Sequence, residues 1–398
     1  MDGYSLKDAA ERAGVDAGFL ERLIGLGILP AQEGDGFSPA DVRLVMMVKS
    51  LDEGGVSLTG VAAAVKSGAL SFDFLATPTF ERLAALASET FGQVSERTGV
   101  PLELLMLIRE AIGMAQPSAN DLLREDELAI VPFLQLQFDE GFKPVSIERL
   151  LRVQGEGTRK IAEQEGAWWY AEVIAPAIAA GKSADSYANP DLAARVAATE
   201  ESALLAMFHA QQGRIWTANL ISGFEEMLDK AGLHSRLERP PAICFLDITG
   251  YTRLTQERGD DAAANLAGVL ARVVERSSVR HGGRPIKWLG DGVMFYFPNP
   301  GPGVRAALEM VEALAAAGLP PAHVGLHAGP VLYQAGDYYG QTVNVSARIA
   351  DYARPSEVLV SRAVADACTE NGISFTDIGP VELKGVSGTV NLLRPHLA

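Results

Sequence analysis

Residues 242–252 read Ala-Ile-Cys-Phe-Leu-Asp-Ile-Thr-Gly-Tyr-Thr, and they decide how the last third of the chain folds. A short apolar run closed by a turn signal reads as a buried strand. Its one charged residue, Asp247, falls at the strand's carboxyl end. Thr249-Gly250 supplies the turn, and a helix is expected to follow. Backbone N–H groups at a helix start suit a polyphosphate, so Asp247, Thr249, Gly250 and Thr252 become candidate site residues. Asp is also a favoured helix cap, and capping alone would explain Asp247.

Outward from this strand, the chain alternates. DAAANLAGVLARVVERSSVRHG is a helix, and RPIKWLG with DGVMFYFPN is a β-hairpin rich in aromatic and β-branched residues. PGVRAALEMVEALAAAG is a helix, AHVGLHAGPVLYQAG a strand pair and QTVNVSARIADYA a helix. EVLVS is a strand, RAVADACTENG a helix, and the tail SFTDIGPVELKGVSGTVNLLRP gives short strands. Helices on a mixed sheet are the expected architecture, α/β or α+β.

Two further polar groups accompany Asp247. Gly290-Asp291-Gly292 is an ordinary hairpin tip by itself, but Lys287 stands three residues before it. Two carboxylates at adjacent strand ends can hold two Mg²⁺ or Mn²⁺ ions, which prefer hard oxygen ligands, and such pairs serve in-line phosphoryl displacement. Asn344 and Arg348 are spaced i,i+4 and share one helix face. An arginine there can neutralise transition-state charge; a solvated helix face would carry the same residues.

Together, FxDxxGxT, KxxGD and Asp337-x6-Asn344-x3-Arg348 resemble the class III nucleotidyl cyclases over residues 240–398. The resemblance implies a ferredoxin-like catalytic domain in an α+β chain. It implies metal binding by Asp247, Asp291 and the main chain of Ile248. Lys287 would read the adenine ring N1 and Asp337 its 6-amino group. Asn344 would orient the ribose, Arg348 would stabilise the phosphorane, and Lys384 in ELKGVSG would bind the triphosphate. An acceptor–donor pair fits adenine and not guanine, so ATP is the expected substrate and cyclic AMP the product. In this family one subunit's metal carboxylates face the other subunit's Lys, Asp, Asn and Arg, which implies a homodimer with two sites.

The front half contains a repeat. Glu11-Arg12-Ala13-Gly14-Val15 recurs as Glu96-Arg97-Thr98-Gly99-Val100, and Asp52-Glu53-Gly54 as Asp139-Glu140-Gly141. VSLTGVAAAVKSG and VSIERLLRVQGEG then match, which marks two copies of one helical unit. Gly14 supplies the turn of a helix-turn-helix, and Ser38-Pro39 opens a helix. The first copy resembles the MerR-type winged helix. The second resembles the regulatory domain of actinobacterial class III adenylate cyclases. The implied organisation is all-α: a MerR-like repeat at 1–75, a regulatory repeat at 85–185, a connector helix and hinge at 190–237, and the cyclase domain at 238–398. Trp168, Trp169 and Tyr170 would be helix–helix core, or line a site for a fatty acid or other small apolar ligand. His209 and His234 are candidates for a pH-responsive role, which histidine often fills, but solvated or core roles are the expected reading.

The 398 residues exceed one typical core. Hydrophobic residues make up 48% and charged ones 21%, as in ordinary globular proteins. A net charge of −16, and an excess of acidic residues in the MerR-like copy, argue against nucleic-acid binding and for a sensory role acting on the cyclase in cis. Two cysteines support neither a disulfide framework nor a zinc site, and Cys244 is expected as a buried free thiol. The expected location is cytoplasmic: the sequence shows no signal peptide and no apolar run long enough for a transmembrane segment.

Overall fold

The structure is a computed structural model that describes residues 3–31, 36–76, 80, 83–182, 189–233, 240–250, 260–290, 292–334 and 336–397. The chain divides into two units, Met1–Ile221 and Ser222–Ala398.

In the first unit, α1 (Leu6–Ala13) and α2 (Ala17–Gly25) flank Gly14, whose φ of 68° is left-handed. Ser5 and Asp16 cap the two helices through their side chains. A bridge joins Tyr4 to Phe37, and α3 (Pro39–Glu53) and α4 (Leu58–Ser67) follow. Ser38 and Asp41 form a capping box on α3.

The second half of this unit repeats the order. β1 (Leu86–Thr90) leads into α5 (Phe91–Thr98), left-handed Gly99 and α6 (Leu102–Ala111). β2 (Leu122–Arg124) pairs with β1 where the Tyr4–Phe37 bridge stands in the first half. Then come α7 (Glu125–Asp139) and α8 (Pro144–Trp169); α3 and α7 each have 15 residues. The cores match as well: Leu20 and Leu23 seal the first, Leu105 and Ile108 the second.

Beyond α8 the helix widens to a π-turn at Tyr170–Ile174 and continues as α9 (Ala175–Ala179). Trp168 and Tyr170 are 45% and 55% exposed, so these two rings are surface and not helix–helix core. α10 (Pro190–Lys230) runs unbroken for 41 residues, as its freedom from internal proline predicts. His209 is exposed on it, while His234 and the polar hinge lie outside the described residues. Among the described residues no helix is long and apolar enough to cross a membrane.

The second unit is built on a seven-stranded mixed sheet. Its strands are β3 (Ala242–Ile248), β4 (Arg284–Leu289), β5 (Gly292–Phe297), β6 (Ala322–Ala328), β9 (Val358–Ser361), β10 (Ile373–Glu382) and β11 (Thr389–Leu397). Their order is β10-β11-β9-β6-β3-β5-β4, with only β6 and β9 parallel. A separate hairpin pairs β7 (Leu332–Gln334) with β8 (Asp337–Tyr339). The helices are α11 (Asp260–Arg280), α12 (Pro300–Ala316), α13 (Gln341–Tyr352) and α14 (Arg362–Ala367).

Strand alternation divides the sheet into two faces. Ala242, Cys244, Leu246 and Ile248 of β3 join Val293, Phe295 and Phe297 of β5 in the main core with α11 and α12. Ile243 and Phe245, with Met294 and Tyr296, face the opposite side. There α13 packs its residues Thr342, Val345, Ser346, Ile349 and Ala350 inward at helical spacing. Gly325 of β6 permits this approach: a Cβ there would lie 2.1 Å from the Ala350 nitrogen. Ser346 Oγ also donates to the Ile243 carbonyl at 2.9 Å. Cys244 is a free thiol, fully buried, and burial pushes its pKa well up.

Two sequence expectations change. Residues 322–336 do contain two strands, but they do not pair with each other. β6 is claimed by β3 and β9, and Pro330 beyond it offers no N–H to continue a ladder. The tail forms one long hairpin, β10 with β11, and not short strands. A bulge at Asp377–Gly379, with Gly379 at φ 99°, keeps the ladder running through an interruption that reads as a break.

Candidate active site

Asp247 points to the α13 side of the sheet, the same side as Ile243 and Phe245, because it continues their alternation. It pairs with Gly292 on one side and His323 on the other. One carboxylate oxygen accepts the Ile248 N–H at 2.9 Å, and the other lies 3.7 Å from His323 Nε2. Asp247 lines a cavity of about 440 Å³ together with Leu289, Asn344, Arg348 and Gly385. The structure thus brings the strand-end carboxylate and both helix residues to one cleft.

Asn344 and Arg348 lie on α13 beside its buried stripe, so both are exposed while Val345 and Ile349 are covered. Arg348 Nη1 donates to Asp351 at 2.7 Å, an i,i+3 pair visible in the sequence. Lys384 is exposed in the turn after β10, next to Gly385 at the cavity wall.

Lys287 and Asp337 are not among the cavity's walls but meet each other. Lys287 Nζ donates to Asp337 Oδ2 at 2.5 Å, and Asp337 Oδ1 accepts the Tyr338 N–H at 2.8 Å. A β-bulge places the lysine. Arg284 pairs with Tyr296 and Lys287 with Met294, with the register shifting between Pro285 and Lys287. Without that extra residue, Lys287 would project to the opposite face from Arg284.

Gly250 takes φ 76°, the left-handed turn its sequence suggests. Thr249 departs from expectation: its N–H is committed to the Pro321 carbonyl at 2.9 Å, which leaves only its hydroxyl, itself 3.3 Å from His323 Nδ1, to meet a phosphate. Thr252 and Asp291 lie outside the described residues.

The Asp247 carboxylate, 44% exposed to the cleft, is a hard oxygen donor suited to Mg²⁺ or Mn²⁺. Ile248 could add only its main-chain carbonyl, since its side chain is a hydrocarbon without a donor atom and packs in the core. Among the described residues no three His, Cys, Asp or Glu side chains form a metal cluster. Asp247 therefore fits a hard cation without completing its coordination.

Two contacts escaped the sequence. His323 Nδ1 lies 3.3 Å from Thr249 Oγ1, and Arg284 Nη2 donates to the Tyr338 hydroxyl at 2.6 Å. Both join residues more than fifty positions apart, and no local periodicity marks them.

Residues 238–393 match the family described as adenylate and guanylate cyclase catalytic domain. Over 315 residues the chain is 28% identical to a pH-sensitive adenylate cyclase of Mycobacterium tuberculosis (strain CDC 1551 / Oshkosh), covering 76% of each protein. An adenylate cyclase of Streptomyces coelicolor is 29% identical over 153 residues, which are 38% of this chain and 40% of that one. Among solved structures, the adenylyl cyclase CyaB from P. aeruginosa is 20% identical with a TM-score of 0.35, over 40% of this chain and 94% of that chain. The match to the adenylate and guanylate cyclase catalytic domain thus lies in residues 238–393, which hold the Asp247 cleft and the Lys287–Asp337 pair.

Proposed function

We propose that this chain is an adenylate cyclase that converts ATP to 3′,5′-cyclic AMP and pyrophosphate at the interface of a homodimer. The observation that carries this reading is the Lys287–Asp337 pair at 2.5 Å. A lysine donor beside a carboxylate acceptor complements N1 and the 6-amino group of adenine; guanine presents the reverse pattern. A site built on such hydrogen bonds discriminates strongly, because the wrong base leaves polar groups unpaired.

In the reaction, the ribose 3′-oxygen forms a bond to the α-phosphorus. The bond from that phosphorus to the pyrophosphate oxygen breaks, and the 3′-hydroxyl proton is released. Asn344 orients the ribose, and Arg348 exchanges its Asp351 partner for the charge developing on the phosphoryl oxygens. Lys384 and the Thr249 hydroxyl bind the polyphosphate near the turn at Gly250. Asp247 and Asp291, with the Ile248 carbonyl, would hold two Mg²⁺ or Mn²⁺ ions. Bound metal supplies Lewis-acid stabilisation of the phosphates.

The helical repeats at 1–75 and 85–185, with the connector at 190–237, would regulate the domain at 238–398 in cis. The similarity to the relative described as pH-sensitive supports this, because its 315 aligned residues exceed the catalytic domain. The exposed apolar side chains of this segment, Tyr170 and Ile178 among them, are where a fatty acid or similar apolar ligand would act.

Turnover of ATP and GTP with Mn²⁺ tests the reading. Cyclic AMP as the dominant product is expected. Preferred turnover of GTP would make it a guanylate cyclase, and nucleotide binding without any product would make it a binding protein.

A further inference from the structure

We propose that Arg284 is a positioning residue for nucleotide selection: it fastens the β7–β8 hairpin to the sheet and so sets where Asp337 meets Lys287. This rests on the reading of Lys287 and Asp337 as the purine-selecting pair.

Asp337 belongs to a hairpin of two three-residue strands that, among the described residues, pair only with each other. Such a hairpin is marginal by itself and needs outside attachment. Tyr338 provides it. The residue is 6% exposed and clusters with Ile243 and Met294, and its ring stacks on Tyr296 at 4.5 Å with an interplanar angle of 6°. Its hydroxyl accepts from Arg284 Nη2 at 2.6 Å. The Arg284 guanidinium also lies 5.5 Å from the Tyr296 ring centre and 5.8 Å from those of Tyr333 and Tyr338. Arg284 Nε is buried without a hydrogen-bond acceptor among the described residues, so aromatic faces are its surroundings.

The bulge connects this cage to the site. Because Arg284 pairs with Tyr296 and Lys287 with Met294, both basic residues project from one face of β4. Two links then join β4 to β8: Arg284 to Tyr338, and Lys287 to the preceding residue, Asp337. Arg284 does not line the Asp247 cleft; it acts through Tyr338. Without it, Asp337 keeps its chemistry and loses its fixed position.

The test measures kcat and KM for ATP and GTP, with melting temperature, in Arg284→Ala, Tyr338→Phe and the double variant. Arg284→Ala is expected to raise KM for the favoured nucleotide about tenfold and to shrink discrimination against the other by a similar factor, with kcat changing less. Tyr338→Phe should move the same quantities less far. The double variant should be no worse than Arg284→Ala, because both changes delete one link. Discrimination within about twofold of wild type in both single variants would overturn the proposal, as would a fall in kcat alone. If Arg284→Ala does not fold, Tyr338→Phe decides, since it removes only a hydroxyl. A wild-type preference for GTP would overturn the adenine reading; the ratio of favoured to disfavoured nucleotide would still judge Arg284.

Discussion

Lys287 Nζ and Asp337 Oδ2 lie 2.5 Å apart, joining the edge strand β4 to a hairpin outside the sheet. Both side chains are only partly exposed, at 36% and 22%, and on the proposed function each would be a partner for the nucleotide base. Lys287→Ala should leave the fold intact and lower kcat/KM for ATP about a hundredfold while GTP turnover falls far less. Steady-state kinetics with both nucleotides check this. An unchanged ATP-to-GTP ratio would show that the pair does not read the base.

Gly325 is the point where α13 rests on the sheet. A methyl group there would meet the Ala350 main chain at 2.1 Å and 2.7 Å, atoms that cannot swing aside. Gly325→Ala should therefore lift α13, costing about 1–3 kcal/mol of stability. Because α13 carries Asn344 and Arg348, kcat should also fall more than about tenfold. Thermal melts and single-turnover rates check both effects; wild-type values for either would contradict this packing.

These two sites differ in how far the sequence discloses them. β3 was legible because its apolar run ends in a turn, and α13 because its buried positions recur at helical spacing. The cap at Ser38 was a local signal too. The Lys287–Asp337 meeting was legible only through family resemblance, since no local pattern measures a distance across fifty residues. The bulge that re-aims Lys287 had one hint, Pro285, which an edge strand tolerates. The detached β7–β8 hairpin and the Arg284–Tyr338 bond had none. Trp168 and Tyr170 misled for the opposite reason: aromatic density suggests a core, while exposure depends on what packs nearby.

The homodimer proposal predicts complementation. Asp247 and Arg348 line one groove within a chain, and the homodimer proposal has each face the partner across that groove and not one another, so Asp247→Ala and Arg348→Ala should each be inactive alone. Asp247 is 44% and Arg348 45% exposed, so neither change removes core packing. Random pairing of a one-to-one mixture makes half the dimers mixed, each with one intact site of two. About a quarter of wild-type activity should return. A mixture that stays inactive after verified subunit exchange would reject the shared site.

His327 gives the catalytic domain a pH-dependent stability. Burial holds its imidazole below the ordinary pKa, and its Nδ1 lies 2.7 Å from the buried Ser361 hydroxyl. The unfolded chain then binds a proton more readily than the folded one. The contribution to stability is complete above the ordinary histidine value of about 6.5 and is lost as pH falls from there through the depressed folded value. Melting temperature should therefore decline on acidification in the range just below about pH 6.5, before the carboxylates titrate. His327→Gln should flatten that slope, because glutamine has no proton to gain. Calorimetry across this range decides the point: an equal slope in the variant would assign the acid sensitivity to other groups.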